Sequence, residues 1–308
     1  MEATLRTIED RYVIYFERRL AHPVEKVWRA ITDPARLSHW FPADIDMDFR
    51  VGGRIRFSFR EGEAPDGEGT ISELEPPRVF AYTWDGEVLR FELRPEDSGC
   101  LLMFSHTIDD RPATARNAAG WELCFDALEA LVDEQPDEGD PDRWMGLHSH
   151  YVERFGLDEG TVEEAPDGWT VRFERILPRP VEAVWAMLTE DSSELLEPGG
   201  EPPLRFTNGY VSAGAVTEVS APNCLEYAWR SADADAGRVR WEIGYDHAGS
   251  RVVLIQTVPS ALADVRPVAL AAWHTHLDQL TEHLLEQGKC WPEGRTEELT
   301  ERYAKALD

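Results

Sequence analysis

No apolar run in this 308-residue chain approaches the ~20 residues that a membrane-spanning helix needs. Cationic residues are scarce: 31 Lys and Arg stand against 59 Asp and Glu, a formal charge of −28. That balance opposes non-specific binding to nucleic acid or anionic lipid, since both need cationic surface, and it fits a solubilising acidic exterior. Cysteines are few, and Cys100, Cys124, Cys224 and Cys290 show no CxxC spacing. Reduced thiols in a cytoplasmic protein are therefore expected. The opening residues, MEATLRTIEDRY, lack the basic-then-apolar pattern of an export signal, in keeping with that expectation. There is no phosphate loop, nucleophile elbow or dinucleotide fingerprint, and the glycine clusters fall where hairpins need turns. No cofactor is expected.

What the chain does contain, it contains twice. Phe16 to Thr32 reads FERRLAHPVEKVWRAIT, and Phe173 to Thr189 reads FERILPRPVEAVWAMLT. In each copy an alternating run ends at a proline, and apolar residues then recur at i, i+3, i+4, i+7: Val24, Val27, Trp28, Ile31 and Val181, Val184, Trp185, Leu188. Alternation predicts a strand with one buried face, and the longer period predicts an amphipathic helix. Pro23 and Pro180 suit a first helical turn, where a missing N–H costs little. With 42% hydrophobic residues, the composition supports two ordinary cores.

Beyond the first helix, Asp33 to Phe41 (DPARLSHWF) reads as a turn ending in two exposed-type aromatics. Val51 to Phe59 is a glycine turn entering a strand. Further strands are predicted over Thr70–Leu74, Val79–Trp84, Val88–Leu93 and Cys100–Ile108, with hairpin signals between them. From Ala118 a long helix carries Trp121, Phe125, Leu128 and Val132 on one face. The second copy repeats this order. Tyr82 and Trp84 match Tyr227 and Trp229, Arg90 matches Arg240, and Trp121 and Asp126 match Trp273 and Asp278. From Pro23 to Arg56 there are 33 residues, but from Pro180 to Arg205 only 25, so the second copy is eight residues shorter where the first carries Trp40, Phe41 and Gly52-Gly53. An acidic linker, Asp133 to Asp142, leads to a helix bearing Trp144, Leu147, His148, Tyr151, Val152 and Phe155. Glu301-Arg302-Tyr303 echoes Glu153-Arg154-Phe155. The fold class is α+β, with domains over 1–160 and 161–308 and a boundary near Glu159 to Pro166.

PVEKVWRAITDPARLSHWF, VGGRIRF, ELEPPRVFAYTW, LLMFSHT and AGWELCFDAL together resemble the bacterial relatives of the activator of the heat-shock-protein-90 ATPase, within the START-related, birch-pollen-allergen-like superfamily. The resemblance runs from Tyr15 to about Leu131. In the second copy it holds at the first strand and helix, the Pro-Tyr-Trp strand and the Trp273 helix, and fails at the WF and GG motifs. It implies two tandem helix-grip domains, each a curved antiparallel sheet wrapped around a long C-terminal helix with a cavity between them. Superfamily members commonly hold apolar ligands there; a minority are enzymes, and the eukaryotic namesakes are co-chaperones.

The candidate ligand-binding residues are Trp40, Phe41, Phe57, Trp84, Phe91, Phe104, His106, Trp121 and Phe125. The aromatics could line a pocket or simply fill a core. Trp40 and Phe41 are singled out as an entrance because the second copy lacks them. His106, following Leu102 and Phe104 on one strand face, could bond a ligand, act as a base or be satisfied by the protein; its counterpart is Gln256. Glu73, Glu92, Glu218 and Glu242 recur but read as solvated carboxylates. His274, His276 and His283 with Asp278 do not converge as metal ligands must. Cys124 reads as a core filler, not a nucleophile. No catalytic residue and no metal are expected. The reading is non-catalytic binding of a small hydrophobic or aromatic molecule by the first domain, with the second structural or regulatory. A chaperone contact or an enzyme acting on a hydrophobic metabolite in the same cavity stand as alternatives.

Overall fold

The computed structural model describes residues 2–59, 66–136, 139, 143–190, 196–232, 234–284 and 293–307. The chain divides between Phe155 and Gly156 into two compact units. The break precedes the stretch Glu159–Pro166 suggested by the sequence, because Leu157 and Asp158 already offer their carbonyls to Arg175 of the second unit. Among the described residues, no helix is long and apolar enough to cross a membrane.

The first unit runs β1 (Thr4–Ile8), β2 (Arg11–Leu20), α1 (Val24–Thr32), α2 (Pro34–Leu37), β3 (Asp44–Met47), β4 (Arg54–Ser58), β5 (Gly67–Glu75), β6 (Val79–Trp84), β7 (Glu87–Glu96), β8 (Gly99–Ile108), α3 (Thr114–Asp133) and α4 (Arg143–Arg154). The strands form one sheet in the order β1-β2-β8-β7-β6-β5-β4-β3, each pairing antiparallel with its neighbours. Alternation is cleanest in β8, where Cys100, Leu102, Phe104, His106 and Ile108 are buried and the residues between them are not. Helix α3 turns Trp121, Phe125, Leu128 and Val132 to that face, and Phe125 meets Phe16 and Phe104 at 5.2 and 5.1 Å between ring centroids. Helix α1 begins at Val24 with Pro23 as its N-cap, one position ahead of the first turn, and buries Val24, Val27, Trp28 and Ile31 as the period predicts. Between β3 and β4, Gly52 has φ +76°, and a Cβ on Gly53 would lie 1.8 Å from the Asp48 carbonyl oxygen, so this turn requires both glycines.

The second unit runs β9 (Thr161–Ala165), β10 (Gly168–Leu177), α5 (Val181–Leu188), β11 (Ser212–Ser220), β12 (Cys224–Ser231), β13 (Ala234–Asp246), β14 (Gly249–Pro259), α6 (Val265–Leu284) and α7 (Arg295–Leu307). Its sheet order is β11-β12-β13-β14-β10-β9, six strands among the described residues against eight in the first unit. The difference is the β3–β4 hairpin. Arg205 and Phe206, aligned with Arg56 and Phe57 of β4, lie instead in a 3-10 turn over Leu204–Phe206. The hairpin registers agree between copies: Phe91 faces Phe104, and Trp241 faces Leu254. Trp185 departs from Trp28 in being only partly buried, against Phe206.

Each unit ends in a helix held by a largely enclosed polar cluster. In the first, Arg18 of β2 lies 3.5 Å from Asp126 of α3, Arg143 of α4 lies 2.6 Å from Asp126, and the Tyr151 hydroxyl donates to Glu122. The backbone N–H of Ala3 donates to the same hydroxyl oxygen at 3.0 Å. In the second, Arg175, Asp278, Arg295 and Tyr303 take the same places, and Gly160 donates to Tyr303 at 3.2 Å. Tyr303 therefore corresponds to Tyr151 rather than to Phe155, the register suggested by the Glu-Arg echo. Glu122 is replaced by His274, whose Nδ1 lies 2.7 Å from the Tyr303 hydroxyl and whose Nε2 lies 3.3 Å from Asp158.

Candidate functional site

Strands β6, β7 and β8 place alternate side chains toward Trp121 and Phe125 in the middle of α3, and the nine candidate residues meet there as one cluster. Phe104 is central: its ring centroid is 4.4 Å from Trp121 and 4.7 Å from Phe91. Phe57 stacks on Trp84 at 4.7 Å, and Phe41 joins Phe57, Trp84 and Trp121 at 5.7–5.9 Å. Trp84 is half-buried, while the others are buried.

Trp40 and Phe41 are not the exposed entrance expected from their loop-like setting. They are 4% and 5% exposed. Trp40 stacks on Phe125 at 6.4 Å, and its indole N–H donates to the Ala30 carbonyl at 2.9 Å. That carbonyl lies in the last turn of α1, where helical carbonyls lack an intrahelical partner. The indole thus caps the helix that precedes it, which draws the segment after α2 into the core.

His106 is 2% exposed, and both ring nitrogens are engaged. The Trp121 indole N–H donates to Nδ1 at 2.9 Å; because that group can only donate, Nδ1 accepts and the ring proton sits on Nε2. Nε2 then donates to Glu87 at 2.7 Å. With neither nitrogen open, His106 orients Trp121 and carries the cluster's polar edge out to Glu87; it is not poised as a general base. In the second unit Gln256 accepts from Trp273 at 2.7 Å, while its Nε2 has no partner among the described residues. The place of Glu87 is taken there by Gly237, since each sits opposite its unit's tryptophan, Trp84 or Trp229. Glu87 was not among the sequence-derived candidates, although a carboxylate in one copy against glycine in the other is a readable signal.

Two further groups border the cluster. Tyr82 contacts Phe57, Phe80 and Phe91 at 5.7, 5.1 and 6.2 Å, and burial raises its pKa far above the usual phenol range. Cys124 of α3 lies near enough to Tyr82 to add to that rise, and burial pushes its own thiol up to about 12, the opposite of what a nucleophile needs. On the outer face, Glu73 and Glu92 are not merely solvated: Arg90 bonds them at 2.9 and 2.7 Å, and Arg240 repeats this with Glu218 and Glu242 at 2.6 and 2.7 Å. Among the described residues, no group of three or more His, Cys, Asp or Glu is placed to hold a metal.

An antiparallel sheet closed over one long helix, with an aromatic interior between them, makes each unit a helix-grip domain. Residues 21–133, within the first domain, match the family described as Activator of Hsp90 ATPase homolog 1-like protein. Among solved structures, CalU16 from Micromonospora echinospora is 26% identical, covering 50% of this chain and 97% of its own, with a TM-score of 0.43. A protein from Mesorhizobium loti is 28% identical, covering 41% and 99%, with a TM-score of 0.37. The AHSA1-like protein from Aeromonas hydrophila is 23% identical, covering 40% and 92%, with a TM-score of 0.36. No curated protein matches the chain.

Proposed function

We propose that the first domain binds a small hydrophobic or aromatic molecule between its sheet and α3, without catalysis, and that the second domain plays a structural or regulatory part. The observation that carries this reading is the convergence of nine candidate residues on one aromatic cluster with a single polar edge, His106–Glu87. Apolar walls with few, fixed polar groups are the usual make-up of a small-molecule site. The second domain keeps the tryptophan–acceptor bond, replaces Glu87 with glycine and, among its described residues, has no counterpart of the β3–β4 hairpin. His106 has no free nitrogen and the Cys124 thiol is held protonated, so neither favours the enzymatic alternative.

Titrating the full chain with a neutral environment-sensitive dye such as Nile red tests the proposal. Saturable binding is expected, and Trp84→Ala, which removes the half-buried wall, should weaken it several-fold. Dye binding that ignores Trp84→Ala but is lost on replacing Trp229 would put the site in the second domain. No saturable binding would remove the reading.

A further inference from the structure

The two domains make the same bond to different acceptors. Trp121 of α3 donates to His106 Nδ1 at 2.9 Å, and Trp273 of α6 donates to Gln256 Oε1 at 2.7 Å. His106 and Gln256 are buried on β8 and β14, so each bond ties the long helix of its domain to the sheet from inside. An amide oxygen accepts whatever the pH. An imidazole nitrogen accepts only while the ring is neutral, because both nitrogens of the cation carry protons. Histidine is the side chain that ordinarily changes charge near neutral pH.

The surroundings of His106 decide which partner gives way on protonation. Glu87 of β7 holds Nε2 at 2.7 Å, and its carboxylate supplies the counter-ion that a buried cation requires. Protonation makes that bond charge-assisted, the stronger kind. At Nδ1 it sets one N–H against another, with no acceptor between them. The indole must then turn. Its ring lies 4.4 Å from Phe104, 5.8 Å from both Phe41 and Phe125, and 6.3 Å from Phe91, so it cannot turn without repacking them. The flanking strand positions are apolar, Ile14 on β2 and Leu89 on β7. Arg18 of β2 is engaged by Glu122 and Asp126 of α3, and burial keeps Tyr82 of β6 and Cys124 of α3 protonated.

We infer that protonation of His106 releases Trp121 and loosens the aromatic cluster, making the hold of the sheet on α3 a pH-sensitive switch in the first domain and a fixed joint in the second. In the closed state a neutral His106 accepts from Trp121; in the open state a charged His106 is paired with Glu87 alone. The switch operates whether or not the cluster holds a ligand.

Indole N–H resonances of the 15N-labelled full chain, followed from about pH 8 to about pH 5, where histidines ordinarily change charge, test this. The Trp121 resonance, identified by its loss in Trp121→Phe, should leave its hydrogen-bonded position reversibly and in step with the His106 ring nitrogens. The Trp273 resonance should keep its position; burial lowers the pKa of His276, whose ring lies 5.6 Å from Trp273. His106→Gln copies the acceptor of the second domain and should hold Trp121 in place over the whole range. Glu87→Gln removes the counter-ion but keeps an acceptor, and should move the transition to lower pH. A Trp121 resonance that stays put while His106 titrates would overturn the inference, as would a His106 ring that remains neutral throughout. A transition that persists in His106→Gln, or that Glu87→Gln leaves unmoved, would overturn it equally. Should His106→Gln fail to fold, the unaltered chain and Glu87→Gln decide between these outcomes.

Discussion

Replacing Trp40 with Ala separates a core residue from a loop residue. The side chain is 4% exposed, stacks on Phe125, meets Phe41 and Phe91 edge-on, and caps α1 through Ala30. Truncating a buried aromatic costs about 3–5 kcal/mol. Trp40→Phe keeps most of the ring but leaves the Ala30 carbonyl without its donor, a loss of about 1–3 kcal/mol. For a domain of this size each kcal/mol moves the midpoint by about 2–4 °C, so Trp40→Ala should melt the first domain roughly 10 °C earlier. Calorimetry on the full chain is the suitable assay, because the two units should give separable transitions and only one should move. A Trp40→Ala protein unfolding within about 0.5 kcal/mol of the parent, the range of a harmless surface change, would show that the indole contributes nothing to the core.

Further outcomes are expected. Trp28→Ala should destabilise the first domain by about 3–5 kcal/mol, whereas Trp185→Ala, removing a partly buried ring, should cost its domain less; urea titration of each variant measures both. Tyr303→Phe removes the hydroxyl that joins Gly160 to His274 and should cost about 1–2 kcal/mol, seen as faster amide exchange in α7 with little change in α5. Cys124 should resist iodoacetamide at pH 8 in the folded chain and react once unfolded. Its folded pKa of about 12 lies above that of the unfolded thiol, so its contribution to stability is intact below the unfolded pKa, near 8.5, and declines as pH rises toward 12. Cys124→Ser, with no thiol to titrate, should flatten that alkaline slope; an unchanged slope would rule the thiol out as its source.

Elements with a strong period were legible from the sequence. Helix α1 and strand β8 each carry four or more apolar positions in register, so their buried faces could be assigned without tertiary information. The aromatic cluster was legible too, because the alternation of β6, β7 and β8 and the stripe of α3 all point to one interior. Trp40 and Phe41 were not. They follow a helix of four residues, too short to show a period, and their burial depends on Phe125, Phe91, Phe57 and Trp121, all distant in sequence. The bond that the Tyr227 hydroxyl makes to Phe206, and Tyr82 does not repeat, was hidden for another reason. Tyr82 and Tyr227 are the same residue in the same motif, and they differ only because Phe57 and Phe206 adopt different backbone conformations. The shortened segment before Arg205 announced that difference, but pattern alone does not say which carbonyl it frees.

The hydroxyls of Tyr151 and Tyr303 have a consequence for how such a chain could arise. Each tyrosine, on the last helix of its unit, takes a hydrogen bond from the third or fifth residue of that same unit, Ala3 or Gly160. Every unit is thus a ring closed by one hydroxyl, its beginning held against its end. A module of that kind can be copied head to tail with a join of a few residues, since neither copy needs its neighbour to fasten its own termini. It should also accept new ends elsewhere: a first domain opened at the Asp97-Ser98 turn, with residues 3 and 154 linked by a short glycine bridge, should keep the same sheet order.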